Sequence, residues 1–188
     1  MIVGLLLDDL KLKEKDGSNI SDNWLYIQDS SVKVGRVQLF HNWSPFMAAE
    51  KGKFWIGAEY FCSEKELLEA NEESMIELAS KELEKIGLID SKQVRDGVLV
   101  KMPKAYPSYT GCYPDFGQIK EYLDTITNLY PIGRNGMHQY NNQDHSMLTA
   151  LNAVDSILLN PSSKSKIWDI NIEQEYHEEK KVALADVK

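Results

Sequence analysis

Between Pro131 and Asn152 the chain reads PIGRNGMHQYNNQDHSMLTALN, and these residue types in this order could bind an anion. A short apolar run, Asn128–Ile132, predicts a strand, and Gly133–Gly136 predicts a sharp turn after it. Asn142 suits a helix N-cap, and Asp144 falls in the first turn, where the dipole favours negative charge. Met147, Leu151, Val154 and Leu158 recur at helical spacing, which predicts a buried helix face. The helix should begin between Asn142 and His145 and stop near Asn160, because Pro161 cannot continue it. A helix start of this kind offers free backbone N–H groups to a phosphate, a carboxylate or a ring oxygen that gains charge. The same spacing also serves an ordinary strand-to-helix connection whose polar residues only cap.

Two further groups could meet a ligand. Arg36 stands in GRVQLFHNWSP, and its planar fork matches phosphate oxygens two at a time. A surface arginine at a strand end is the alternative. In Lys104–Tyr109, Tyr106 and Tyr109 could stack on a base or hydrogen-bond a phosphate, or pack beneath a helix. The four histidines show no H-x-x-x-H spacing, and Cys62 and Cys112 form no C-x-x-C, so no metal centre is expected.

These residues need a scaffold, and the sequence offers one. Ile2–Leu7 is a buried-type strand, and Lys11–Asn23 is a loop. Trp24–Gln28, Arg36–Trp43 and Lys53–Cys62 read as further strands, the last of them central, in a mainly antiparallel sheet. Ser63–Glu66 has the form of a capping box. Asn71 caps a longer helix that runs to Ile86, with Met75, Ile76, Ala79, Leu83 and Ile86 inward and Gly87 as its stop. Val98–Tyr106 reads as a strand. Pro114 opens a helix to about Ile126 that should bury Phe116, Ile119, Leu123 and Ile126. The expected organisation is an α+β domain over 1–130, a turn and helix over 131–160, and a polar tail over 161–188 with little to bury.

The 188 residues carry 29 acidic against 21 basic side chains, a formal net charge of −8, which argues against a nucleic-acid partner. Two cysteines make no disulfide framework. No apolar run reaches membrane-spanning length, and the first residues lack a signal-peptide pattern, so a cytoplasmic protein is expected.

GRNGMHQYNNQDHSMLTALNAV resembles the C-terminal flavin-contacting segment of FAD-dependent proteins of the amine oxidase and UDP-galactopyranose mutase superfamily. The mutases carry a Gly-Arg, a Tyr seven residues after that Gly and an Asp four residues later, here Gly133, Arg134, Tyr140 and Asp144. The resemblance implies that Gly133, Arg134, Asn142, Gln143, Asp144, His145 and Ser146 lie against FAD. It implies that Arg36, Tyr106 and Tyr140 meet a nucleotide-sugar substrate, Arg36 through its pyrophosphate. Leu39 stands where mutases usually carry an acidic residue, and His41 and Asn42 match their basic pair only loosely. The implied fold is an antiparallel or mixed sheet flanked by helices, ending in a strand, turn and helix that contact FAD. No G-x-G-x-x-G occurs here, so the resemblance implies the C-terminal part of a longer flavoprotein, with FAD not retained by this chain alone. The implied role of the whole is polysaccharide or lipopolysaccharide biosynthesis. A flavin amine oxidase or other small-molecule oxidoreductase, and a non-catalytic binding domain, are the alternatives; homo-oligomerisation is left open.

Overall fold

Ile2–Leu7 forms β1, and its side chains sort by the two-residue period of a strand: Val3, Leu5 and Leu7 are fully buried. The structure is a computed structural model that describes residues 1–48, 50, 52–159 and 164–170. It divides into two compact units, Met1–Pro103 and Lys104–Lys188, a boundary earlier than the 130/131 division read from the sequence.

In the first unit, β2 (Trp24–Tyr26), β3 (Arg36–Leu39), β4 (Phe54–Glu59) and β5 (Val94–Val100) join β1 in one sheet. The strand order is β2-β3-β4-β1-β5, and every pair is antiparallel. The architecture is α+β, with β4 at the centre. One face carries Val3, Leu5, Leu7, Val37, Leu39, Ile56 and Ala58, packed with Ala79 and Leu83 of the long helix described below.

β2 and β4 are shorter than the expected Trp24–Gln28 and Lys53–Cys62, and β3 and β5 depart further from expectation. Beyond Leu39 the chain leaves the ladder and makes a single helical turn, α1 (Phe40–Trp43). The Phe40 ring lies over Gly57, where an added Cβ would meet it at 2.8 Å. The Asn42 amide donates to the carbonyls of Ile20 and Asp22, at 2.9 and 2.7 Å, and holds the turn. At the other edge, β5 spans Val94–Val100 instead of Val98–Tyr106. Val100 pairs with Ile2, the first residue of β1, so the ladder has no partner strand to continue along.

Ser63 opens α2 (Glu64–Glu69) with a complete capping box. Asn71 caps α3 (Glu72–Lys85) through its side chain, which accepts from the Ser74 N–H at 3.1 Å. Gly87 ends this helix at φ +81, a conformation that costs a side-chain-bearing residue stability.

In the second unit, α4 (Phe116–Asp124) follows a 3₁₀ turn at Tyr113–Asp115. It buries no residue fully, and Ile119, expected inward, is exposed. Residues 128–132 make no strand; no strand is present in this unit among the described residues to pair with them. Gly133–Gly136 forms the short helix α5, and α6 spans Gln143–Leu159, starting within the expected window. Its buried face is the opposite of the expected one. Thr149, Ala153 and Ser156 point inward, and Met147, Leu151, Val154 and Leu158 are exposed. Small side chains let α5 approach closely: the Gly133 N–H donates to the Thr149 hydroxyl at 3.0 Å.

The tail also departs from expectation where it is described. α7 (Ser165–Trp168) buries Ile167 and Trp168 with Met137 and Ala153, and Phe116 and Tyr130 pack on them. The Trp168 indole donates to the Asp124 carboxylate at 3.0 Å. The Lys164 ammonium donates to the Ile126 carbonyl and sits 5.1 Å from the Tyr130 ring centre, complementing the negative end of α4. The helix stop at Asn160–Pro161 and the rest of the tail, 171–188, lie outside the described residues. No described helix is long and apolar enough to cross a membrane.

Candidate functional site

The sheet of the first unit has a second face, away from α3, and Arg36 stands on it. Register places Tyr26, Arg36 and Glu59 in one row across β2, β3 and β4, and Trp24, Gln38 and Gly57 in the next. The Arg36 guanidinium donates from Nε and Nη2 to Oε2 of Glu59, at 3.0 and 2.6 Å, and the Gln38 amide donates to Oε1 at 2.6 Å. Both ionised side chains are buried. The guanidinium carbon lies 4.9 Å from the Trp24 ring centre and 5.3 Å from that of Phe61. Trp24 stacks with Tyr26 at 6.2 Å and meets Trp43 edge-on at 6.3 Å. The result is an aromatic surface, with Tyr26, Trp43 and Phe61 exposed, over a buried ion pair.

Neighbouring polar groups position this row. The Glu82 carboxylate of α3 accepts from the N–H groups of Lys33 and Val34 at 2.8 and 3.0 Å, and from the Tyr60 hydroxyl at 3.1 Å. It fixes the segment that leads into Arg36. Burial, then the adjacent Glu82 charge, push the Tyr60 phenol well above its ordinary range, so it stays a donor. Asp8 accepts from Arg95 of β5 and from Lys53, which precedes β4, and so ties the ends of β1, β4 and the edge strand β5. Arg95 first, then Lys53, hold the Asp8 carboxyl down to about 2. His41 lies edge-on to Phe54 at 4.8 Å, and its Nε2 is buried without a partner among the described residues. Burial lowers its pKa, which keeps the imidazole neutral.

The second unit brings together three of the sequence-derived residues. Tyr106 and Tyr140 stack at 5.8 Å and 12°, and the Arg134 guanidinium lies 5.0 and 4.8 Å from their ring centres. Arg134 donates to the carbonyls of Asn141 and Ala105, at 3.0 and 3.1 Å. The Tyr109 hydroxyl accepts from the Tyr140 N–H at 2.6 Å. Gly133 has φ +70, which accounts for a glycine there.

Asn142, Gln143 and Asp144 are exposed at the start of α6, and His145 and Ser146 are half-buried. Nδ1 of His145 accepts from the Asn142 N–H at 3.2 Å. Asn141, just before Asn142, is buried, and its amide nitrogen lies 3.6 Å from the Met137 sulfur. The residues that open α6, Asn142–Asp144, are thus exposed.

Sequence reasoning missed Glu59, Gln38 and Trp24. Glu59 is the one acidic residue within the apolar segment Phe54–Cys62, and that was its only signal. Among the described residues no three His, Cys, Asp or Glu are grouped to hold a metal ion.

No family model matches the sequence, and no curated protein matches it. Among solved structures the chain is similar to a reduced UDP-galactopyranose mutase, with a TM-score of 0.64 at 17% identity. The match covers 90% of this chain and 36% of the mutase, so the chain spans little more than a third of that protein's length.

Proposed function

We propose that this chain is the substrate-binding and C-terminal part of a flavoprotein resembling UDP-galactopyranose mutase, whose whole acts on a nucleotide sugar in polysaccharide or lipopolysaccharide synthesis. The observation that supports this reading is the likeness to a mutase across 90% of the chain, with a 17-residue helix, α6, whose start is open. The residues present fit one part of FAD. An exposed helix start beside Gly133 suits the pyrimidine edge of a flavin, where negative charge collects on reduction. A glycine-rich turn to cradle the pyrophosphate is absent from this sequence, so the complete protein holds FAD and this chain alone does not.

FAD, when bound, supplies the reactive ring. The chain's own residues orient and hold. Gly133, Arg134 and Asn142–Ser146 face the flavin edge, and the Tyr106–Tyr140–Arg134 stack gives that edge a rigid wall. On the sheet, Tyr26, Trp43 and Phe61 offer flat apolar faces to a base or sugar ring, and Arg36 offers positive charge to a pyrophosphate.

One observation favours a second reading. Glu59 already neutralises Arg36, so a pyrophosphate would compete with a bound carboxylate. A flavin-dependent oxidoreductase acting on an uncharged or cationic small molecule needs no such exchange.

Titrating the purified chain with UDP-galactose, followed by tryptophan indole and arginine Nε NMR signals, tests the proposal. Shifts at Trp24, Trp43 and Arg36 are expected. Shifts absent at millimolar ligand would end the nucleotide-sugar reading and leave the oxidoreductase. Recovery of the chain with stoichiometric flavin would overturn its assignment as a part without the FAD cradle.

A further inference from the structure

Arg36 is nearly closed to water, yet the Phe61 ring beside it is two-thirds open, at 5% against 67% exposure. The guanidinium carbon lies 5.3 Å from the ring centre, within range of the attraction between a cation and a π face. The ring therefore covers the cation while little covers the ring.

Gly35 makes that position possible. A Cβ there would lie 2.8 and 3.0 Å from two carbons of the Phe61 ring. Gly35 is not one of the glycines with positive φ, so the ring, and not the backbone, asks for glycine here.

The residues on either side of Phe61 are anchored. The Tyr60 N–H donates to the Met1 carbonyl at 2.9 Å, and its hydroxyl donates to Glu82. Ser63 caps α2. Phe61 stands between these anchors and beyond Glu59, the last residue of β4. Its ring can swing by side-chain rotation alone, with the sheet ladder and the Arg36–Glu59 pair left in place. Reaching Arg36 by breaking that pair would instead strand a buried charge.

We propose that Phe61 is a movable lid, which swings aside for a phosphate or pyrophosphate to reach the Arg36 guanidinium. The proposal rests on the reading of Arg36 as the pyrophosphate contact and adds the step that makes a buried arginine reachable. A lid lowers the apparent affinity in proportion to the fraction of time it is open. With the open state at about 10% or less, removing the lid tightens anion binding by about tenfold or more. An uncharged ligand that only stacks on Tyr26 and Trp43 gains nothing.

Titrating the full chain with inorganic pyrophosphate, followed by arginine Nε NMR signals, tests this in the wild type, Phe61→Ala and Gly35→Ala. The first variant removes the lid. The second keeps the ring and pushes it off its seat, so it is an independent check. Both should bind pyrophosphate about tenfold or more tighter than the wild type, with the shift at Arg36. Uridine, followed at the Trp43 indole, should gain nothing from either variant. Equal pyrophosphate affinity in all three proteins would overturn the lid and leave the pyrophosphate reading standing. Weaker binding by Phe61→Ala would make the ring part of the ligand contact, which also overturns the lid. An equal gain for uridine would show that the ring only crowds the surface, with the same result. Pyrophosphate binding by none of the three would overturn the lid together with the pyrophosphate role of Arg36.

Discussion

Arg36 and Glu59 stand side by side in the antiparallel register of β3 and β4, and two guanidinium nitrogens share one carboxylate oxygen at 3.0 and 2.6 Å. Both side chains are nearly closed to water, at 6% and 11% exposure. In so dry a place a lone charge is far more costly than the pair is favourable. Arg36→Ala should therefore destabilise the chain by about 3–5 kcal/mol, read as a lower urea midpoint. The double variant Arg36→Met, Glu59→Leu should recover most of that loss. If Arg36→Ala leaves the midpoint unchanged and only weakens ligand binding, the arginine serves the ligand and not the sheet, as the sequence alone suggested.

Glu82 gives a second test of how the row is positioned. Its carboxylate satisfies two backbone N–H groups and the Tyr60 hydroxyl. Tyr60→Phe removes one donor from a charged acceptor and should cost about 1.5–3 kcal/mol. Glu82→Ala strands all three donors, so it should cost more and also release the Lys33 and Val34 amides to hydrogen exchange. Equal losses from the two variants would show that the loop does not depend on this carboxylate.

Those two contacts show where sequence reading reached and where it stopped. The capping box at Ser63 and the span from Asn71 to Gly87 are local, each fixed by residues three to sixteen positions apart, so they were legible. Arg36 and Glu59 are 23 residues apart and meet only because β3 and β4 adopt one register, which the sequence does not print. The outer face of α6 was legible as apolar, but periodicity does not say whether this chain or another covers it. The run 128–132 has strand-forming residues, yet a strand needs a neighbour, and the second unit provides none among its described residues. Of the candidate site, the meeting of Arg134 with Tyr106 and Tyr140 was only half visible. Arg134 and Tyr140 are near in sequence, and Tyr106 arrives from a distant loop.

Stability should fall on the acid side, for two separable reasons. His41 has its pKa lowered by burial, so the unfolded chain binds a proton that the folded chain resists. Its contribution is present above the ordinary imidazole pKa of about 6.5 and is lost as pH falls through the depressed folded value. Asp8, held at about 2 by Arg95 and Lys53, contributes above the ordinary carboxylate pKa of about 3.9, and this is lost as pH falls toward 2. Melting temperatures of the wild type and His41→Gln between pH 7.5 and 5 separate the two. The wild type should lose stability over this range, and the variant's curve should be flatter. Parallel curves would mean that His41 accepts its proton without opposing the fold.

Arg134 provides the last test, because its geometry asks for a planar cation. The guanidinium lies against two stacked tyrosines and also donates to the carbonyls of Asn141 and Ala105. An ammonium keeps the charge but cannot lie flat on a ring while reaching two carbonyls in different directions. Arg134→Lys should therefore cost about 1–2 kcal/mol, close to the loss from Arg134→Ala, since the stacking and one hydrogen bond go in both. The Asn141 carbonyl precedes the start of α6, so the loss should be local, with faster hydrogen exchange over residues 138–146 and an unchanged sheet in the first unit. If lysine restores full stability and protection, charge alone suffices. The planar stack would then be incidental to how the helix start is held.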